Sequence, residues 1–470
     1  MKAFNINRKT FKTKNTKINL KQKIISMIFL NCATLSTFNT NANANANATT
    51  NNQTTKAKYN INLKELKEQV EQRIPETQMQ IAYMHEEGKG LEKDLVKTFK
   101  WFEKAAERGV AEAQAKIAYM YEVGRGVNQD FIEAFIWYKQ AAHQGVARAQ
   151  HKIGEMYDTG QTVQQNLAEA FMWFKKAAEQ GIPEAQAQVA YMYEVGRGVE
   201  RDPIEAFIWY KQAAYKGIAK AQVQIGYMYA TGTVVDQEPA EAFKWFKKAA
   251  EQGIPEAQAQ VGYMYELAKG VEQNFDEAFT WYQKAAYNGI AKAQSKMGNI
   301  YDIGQIVAQD LTEAFRWFKA AAEQGAPEDQ ENLAYIYEEG RGVEQDFNQA
   351  FTWYKQAADQ GSATAQAQVG YMYRVGKGVE QNLNEAFTWY QKAAEQENAE
   401  AQLEIGRIYE EGLLVPQDLA ESFRWYYKAA KQDIIEAQKH IGLMYEEGLG
   451  VPKNQDEAYR WYQKASYANQ

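Results

Sequence analysis

Two kinds of residues in this 470-residue chain could form a functional site, namely the glycines of Gly-x-Gly loops and the histidines. Neither kind has the neighbouring residues that phosphate binding, metal binding or catalysis would require. The Gly-x-Gly loops at 124–126 and 376–378 superficially match phosphate-binding turns, but no predicted strand precedes them and no Gly-Lys-Ser/Thr follows. A helix stop and a tight turn explain these glycines. The four histidines (His85, His143, His151 and His440) lack partners at catalytic or metal-ligand spacing. We therefore predict no enzymatic activity, no metal and no cofactor.

The elements that carry these residues repeat with a strict period. The eleven tryptophans, from Trp101 to Trp461, are each separated by 36 residues. In the repeat 110–145, apolar residues at helical spacing predict a first helix at 111–123 and a second helix at 131–145. One hairpin cannot bury its apolar face alone, so the period predicts hairpins stacked in a row.

The motif AEAQxxIGYMYExGxGVxxDxxEAFxWYxKAAEQG resembles the Sel-1-like repeat (SLR), a relative of the tetratricopeptide repeat, in all eleven units from 74 to 469. The resemblance implies an all-α fold, a right-handed α-solenoid of eleven helix-turn-helix repeats. It also implies a non-enzymatic adaptor or scaffold, and exported bacterial members often engage host or envelope proteins. The departures from the motif are Ala268 at a loop glycine and Glu397, Asp433 and Asn469 at the glycine that ends a unit.

The N-terminal segment differs in composition from the repeats. Residues 1–48 contain eight basic and no acidic residues, an apolar run at 24–30, and Ala-x-Ala triplets that end at Ala48. This order predicts a cleaved secretory signal and export to the periplasm, the cell surface or the medium; a disordered basic arm or an organelle transit peptide is the alternative. We interpret 49–60 as a disordered linker, 61–73 as an N-terminal capping helix and 74–469 as the repeats.

The charge of the chain restricts its partners. Loss of the eight basic residues in 1–48 would change the formal net charge from −7 to −15, and an acidic domain repels nucleic acid. The run at 24–30 is too short to span a membrane. The only cysteine, Cys32, lies in the same segment, so packing alone must stabilise the repeats.

Positions that are uniform in all repeats are interpreted as scaffold. Glutamine recurs in every unit from Gln78 to Gln438, which predicts that it satisfies polar groups at the repeat junctions. From Phe102 to Tyr354, the residue after tryptophan alternates between Phe and Tyr from one repeat to the next. Duplication of two-repeat blocks explains this period of 72 residues.

Variable positions on the first helix are candidates for a binding site. A tyrosine column is predicted about 240° from the core-facing alanine of that helix, and an acidic column near 180°. Together they suit a protein or peptide ligand with basic and apolar groups, bound in the concave groove; packing of the tyrosines against the next repeat is the alternative. The candidates are Tyr119, Tyr191, Tyr227, Tyr263, Tyr335 and Tyr371 with Glu122, Glu194 and Glu266, and the groove centre is predicted at Tyr191, Tyr227 and Tyr263.

A second candidate surface lies on the second helices, opposite their core faces. Its apolar residues are Ile132, Ile136, Met172, Ile204 and Ile208, and later repeats have Thr, Lys or Arg at these positions. We expect a contact patch here, with burial by solenoid curvature as the alternative. The sequence thus favours an exported scaffold that binds a protein or peptide; a cell-wall or other hydrolase, or an envelope assembly factor acting on peptidoglycan machinery, is the alternative.

Overall fold

The repeats fold into helical hairpins. The computed structural model describes residues 75–88, 91–412 and 414–467, and the regular structure in these ranges consists of 22 α-helices, two for each of eleven repeats. The predicted all-α class is confirmed. The predicted signal segment, linker and capping helix, at 1–48, 49–60 and 61–73, lie outside the described residues.

The chain divides into two units, at Lys216 and Gly217. The described helices of unit 1 are α1 (Pro75–Glu87), α2 (Leu95–Glu107), α3 (Ala111–Val123), α4 (Phe131–His143), α5 (Ala147–Thr159), α6 (Leu167–Glu179), α7 (Pro183–Val195) and α8 (Pro203–Tyr215). The described helices of unit 2 are α9 (Ala219–Thr231), α10 (Pro239–Glu251), α11 (Pro255–Glu266), α12 (Phe275–Tyr287), α13 (Ala291–Ile303), α14 (Leu311–Ala322), α15 (Pro327–Glu339), α16 (Phe347–Asp359), α17 (Ala363–Val375), α18 (Leu383–Glu395), α19 (Ala399–Glu411), α20 (Leu419–Lys431), α21 (Ile435–Glu447) and α22 (Gln455–Tyr467). Odd-numbered helices are the first helices of their repeats.

Local sequence sets the helix ends. After α3, Gly124 adopts the left-handed conformation with φ of 69°, and its N–H donates to the carbonyl oxygen of Met120. At the start of α4, the Asp130 carboxylate accepts from the N–H groups of Ile132 and Glu133, which would otherwise lack partners. The predicted first helix is therefore confirmed, and the second helix ends two residues before its predicted limit.

Three of the motif departures keep the glycine-type backbone. Ala268, Glu397 and Asp433 have φ of 54°, 65° and 64°, a region that L side chains adopt at a cost in free energy. The turn geometry of these repeats is therefore preserved despite the missing glycines.

Successive hairpins share one core. A single cluster in unit 1 contains Tyr138 and Ala141 of one repeat together with Ile153 and Trp173 of the next. Ala141 and Ile153 are fully buried, and the small alanine lets the neighbouring helices approach closely. Each hairpin thus covers the apolar face of its neighbour, as the sequence predicted.

The glutamine column joins adjacent hairpins. The buried Gln150 donates from Nε2 to the carbonyl oxygen of Ala142 in the preceding hairpin at 3.1 Å, and its Oε1 accepts from Gln180 at 2.7 Å. Gln366 makes the equivalent pair of bonds in unit 2. The predicted role of this column at the repeat junctions is confirmed.

Candidate protein-interaction surfaces

The tyrosine column lies at the surface. In unit 1, Tyr119 and Tyr191 are 43% and 42% exposed. In unit 2, Tyr227, Tyr263 and Tyr335 are between 37% and 47% exposed, while Tyr371 is half-buried. The predicted groove centre takes Tyr191 from unit 1 and its other two residues from unit 2. The role of the tyrosines in binding stays a prediction.

The exposed tyrosines also pack against the scaffold. The ring of Tyr227 meets the ring of Phe246, a buried core residue, edge to face at 5.0 Å between centroids. Its hydroxyl accepts from Nε2 of Gln260 at 3.3 Å, and the Tyr263 hydroxyl accepts from Nζ of Lys269 at 2.8 Å. Exposure and packing are therefore not alternatives, because one face of the ring contacts the scaffold while the rest remains accessible.

An apolar residue one turn after the tyrosine was missed in the sequence. Residues four apart share a helix face, so each of these side chains extends the surface of a tyrosine. The pairs are Tyr119 with Val123 and Tyr191 with Val195 in unit 1, and Tyr263 with Leu267 and Tyr371 with Val375 in unit 2. The four aliphatic residues are 43% to 50% exposed. Their i, i+4 spacing from the tyrosines could have identified these residues in the sequence. They were overlooked because they lie next to the residue that ends the helix.

The glutamates of the acidic column are hydrogen-bonded within the scaffold, and their role in binding stays a prediction. Glu122 accepts a hydrogen bond from the Tyr138 hydroxyl at 2.7 Å, and Glu194 and Glu266 accept from Tyr210 and Tyr282 at 2.7 and 2.6 Å. Burial, followed by the hydrogen bond to the carboxylate, raises the pKa of all three donor tyrosines. These glutamates are therefore bonded within their own repeats.

Some carboxylates of the acidic column also form ion pairs with a lysine or an arginine of the next repeat, in two arrangements. In two repeats with the buried tyrosine, a lysine of the next first helix reaches the glutamate, as Lys152 reaches Glu122 at 3.0 Å. In two of the four repeats with phenylalanine, an aspartate replaces the glutamate and an arginine of the next loop pairs with it, as in Arg341 with Asp302 at 2.7 Å. In these four repeats the acid, its cation and the residue after tryptophan change together.

The exposed charges beside the tyrosines are mixed. Thr364, Glu400 and Glu436 break the pattern in α17, α19 and α21, but in the first helices α3 to α15 the second residue lies on the exposed face and its charge alternates. These residues are Glu112, Arg148 and Glu184 in unit 1, and Lys220, Glu256, Lys292 and Glu328 in unit 2. The expectation of a basic ligand therefore has no support from this surface.

The apolar residues on the second helices of unit 1 are exposed. Ile136, Met172 and Ile208 are 42%, 48% and 42% exposed, and Ile132 and Ile204 are more exposed still. The alternative of burial by curvature is wrong. We call these five residues the apolar patch.

The part of the chain that the structure describes offers little else to a ligand or a membrane. Within it, no group of three or more His, Cys, Asp or Glu residues could hold a metal ion. Across the same ranges, no helix has the length and apolar character needed to cross a bilayer.

Comparison with known proteins agrees with this architecture. The model of the family described as Sel1 repeat matches residues 75–110, 111–146, 147–182, 183–218, 219–254, 255–290, 291–325, 327–362, 363–398, 399–434 and 435–470. A solved structure of c5321, a protective antigen present in uropathogenic Escherichia coli strains displaying an SLR fold, is 35% identical, with a TM-score of 0.76 and 86% of each chain covered. A Sel1 repeat protein from Oxalobacter formigenes is also 35% identical, with a TM-score of 0.51 over 64% of this chain and 86% of that chain. Comparison with curated proteins gave no match.

The hairpins, the shared cores and these matches define an all-α solenoid repeat protein. The chain belongs to the Sel1 repeat family, whose members generally serve as scaffolds for protein–protein interaction.

Proposed function

We propose that this chain is an exported, non-enzymatic scaffold that binds a protein or peptide ligand through the exposed tyrosines of its first helices. The observation that carries the proposal is the pairing of an exposed tyrosine with an exposed aliphatic residue one turn later, as in Tyr263 and Leu267. The scaffold does not require either residue, because other repeats have Glu155 or Asn299 at the tyrosine position.

The geometry suits recognition of a peptide with apolar and charged side chains. Tyrosine offers a large contact area at low entropic cost, and the bonds from Gln260 and Lys269 hold two of the rings before a ligand arrives. The alternating charges beside them would pair with a ligand of mixed charge rather than a uniformly basic one.

Binding can be tested with a display library of random peptides selected on the full chain. Tyr263→Ala/Leu267→Ser should weaken binding of the selected peptides by at least about tenfold, because both contacts are lost. Tyr459→Ala is the matched control, since this tyrosine is 64% exposed but lies on a second helix. Equal binding by the parent and the double variant would reject the proposed surface.

Export rests on the order of basic, apolar and Ala-x-Ala segments in residues 1–48. The description of the E. coli neighbour as a protective antigen supports it. N-terminal sequencing of protein recovered outside the cytoplasm should find a start between Asn45 and Thr49. An intact Met1 on that protein would contradict signal cleavage.

A further inference from the structure

The apolar patch of unit 1 lies between two rows of opposite charge. In α4, the central Ile136 has Glu133 three residues before it and Lys139 three residues after it. The same order recurs in α6 as Glu169, Met172 and Lys175, and in α8 as Glu205, Ile208 and Lys211. Three second helices of one unit thus present the same sequence of acid, apolar residue and base.

The two charged rows are symmetric about the apolar row. A step of three residues is about 4.5 Å along a helix, and its rotation leaves the residue on the same side of the helix. Glu133 and Lys139 therefore flank Ile136 at equal distances in opposite directions. The ammonium groups of Lys139 and Lys175 lie over Phe135 and Phe171, at 5.6 and 5.9 Å from the ring centroids, which restricts their position.

From this symmetry we propose that two copies of the chain associate face to face through the apolar patch. A two-fold axis parallel to the row of Ile136, Met172 and Ile208 reverses the direction of the helices and keeps the order of the repeats. It places each central residue opposite its own counterpart and each lysine row opposite the partner's glutamate row. An isologous dimer is self-complementary in this way.

The other simple two-fold axis is excluded by charge. An axis parallel to the helices would place the glutamate row opposite the partner's glutamate row and lysine opposite lysine, and like charges brought together across an interface are costly. The sequence therefore selects one orientation of the two copies. This dimer does not depend on the proposed peptide-binding surface, which lies on the first helices.

Unit 2 lacks this arrangement. Its central position is basic in α10, α14, α20 and α22, and each base pairs with the glutamate three residues before it; one such pair is Lys244 with Glu241 at 2.6 Å. In those helices the acid is satisfied internally and the surface is polar. The proposed interface is thus confined to unit 1.

Sedimentation of the full chain over a range of concentrations tests the proposal. We expect a monomer–dimer equilibrium, and Ile136→Lys/Met172→Lys, which copies unit 2, should weaken it by at least about tenfold. Ile303→Lys is the control, because this isoleucine is 59% exposed on a first helix of unit 2. A parent chain that is monomeric at every concentration, or a dimer that the double variant leaves intact, overturns the proposal.

The charge rows allow a second test that a folding defect cannot imitate. Glu133→Lys/Glu169→Lys makes both rows basic in α4 and α6, and Lys139→Glu/Lys175→Glu makes both rows acidic. Each variant alone should dimerise at least about tenfold more weakly than the parent, whereas an equimolar mixture should form a heterodimer. Glu205 is left unchanged because it accepts a hydrogen bond from the Trp209 indole at 3.1 Å.

The matched control makes the same reversals in unit 2. Glu241→Lys/Glu313→Lys and Lys247→Glu/Lys319→Glu occupy the equivalent positions of α10 and α14. These variants should dimerise like the parent. Failure of the mixed unit 1 variants to pair, or an equal loss in the controls, would overturn the assigned interface.

Discussion

Arg374 lies 3.8 Å from Glu404 of the next repeat, between Nε and Oε2, with the two charges exchanged relative to the Glu266 junction of the same unit. At the equivalent positions, Glu266 is the acid and Lys296 of the next first helix is the base, at 2.8 Å. Opposite charge is thus retained although both residue types have changed. The junction therefore requires opposite charges at these two positions, and either position can carry the carboxylate.

Reversal of one charge should therefore be rescued by reversal of the other. Arg374→Glu should destabilise the repeat by about 1 kcal/mol, because it places two carboxylates together at a partly exposed site. Addition of Glu404→Lys should restore part of the loss, since it copies Lys296 opposite Glu266 but also breaks the ion pair of Glu404 with Arg407 at 3.1 Å. Urea unfolding of the four proteins in a double-mutant cycle measures the coupling. A double variant that is no more stable than Arg374→Glu would show that the pair is incidental.

The buried tyrosine beneath each glutamate should give the fold a dependence on alkaline pH. The pKa of Tyr282 is raised by burial and by its bond to Glu266, so the folded state keeps the proton after the unfolded state has lost it. Stability is complete below the unfolded pKa of about 10 and falls as the pH rises towards the folded pKa, by up to about 1.4 kcal/mol per pH unit for each such tyrosine.

Tyr282→Phe should remove the contribution of one tyrosine, up to about 1.4 kcal/mol per pH unit, from the alkaline pH dependence of the unfolding free energy. At neutral pH the variant should be less stable by about 1–2 kcal/mol, because the hydrogen bond to the carboxylate is lost. The measurement is urea unfolding between about pH 9 and about pH 11. Tyr287→Phe is the control, because that side chain is 73% exposed. An unchanged slope in the Tyr282 variant would show that this tyrosine titrates normally in the folded state.

Features that recur in every repeat could be predicted from the sequence, and the ion pairs between particular hairpins could not. The bounds of α3, the capping by Gly124 and the bonding of the glutamine column follow from local chemistry and uniform recurrence. The ion pairs depend on how successive hairpins stack, because Lys152 reaches back 30 residues and Arg341 reaches back 39. The helical wheel placed Glu122 near the outward side because a wheel describes a single helix without its neighbours.

Two glycines with similar backbone angles should differ in their tolerance of a side chain. Gly126 and Gly145 have φ of 76° and 92°, so alanine is strained at both. A Cβ at Gly126 would lie 2.2 Å from the carbonyl oxygen of Leu95 in the preceding repeat, whereas one at Gly145 would meet nothing within 4 Å. Gly145→Ala should cost about 1–2 kcal/mol, and Gly126→Ala should cost more by about 1–3 kcal/mol. Thermal unfolding of the two variants gives the comparison, and equal losses would mean that the loop moves away from Leu95 without penalty.

Restoration of the missing terminal glycines should stabilise the last repeats. Glu397 and Asp433 hold φ of 65° and 64°, at positions where Gly145 and Gly361 have positive φ in other repeats. Glu397→Gly and Asp433→Gly remove a left-handed strain of about 1–2 kcal/mol each, and the greater freedom of glycine in the unfolded chain offsets about 0.5–1 kcal/mol of that.

The expected net gain is therefore about 0.5–1 kcal/mol for each substitution. Because each repeat contacts mainly its neighbours, the gain should be local, and amide hydrogen exchange should slow in α18 to α21 more than in α9 and α10. Gln391→Gly is the control, since this exposed residue lies in the interior of α18, where glycine costs about 1 kcal/mol instead. If the two substitutions destabilise the repeats as the control does, then the side chains of Glu397 and Asp433 stabilise their turns by more than the left-handed backbone costs.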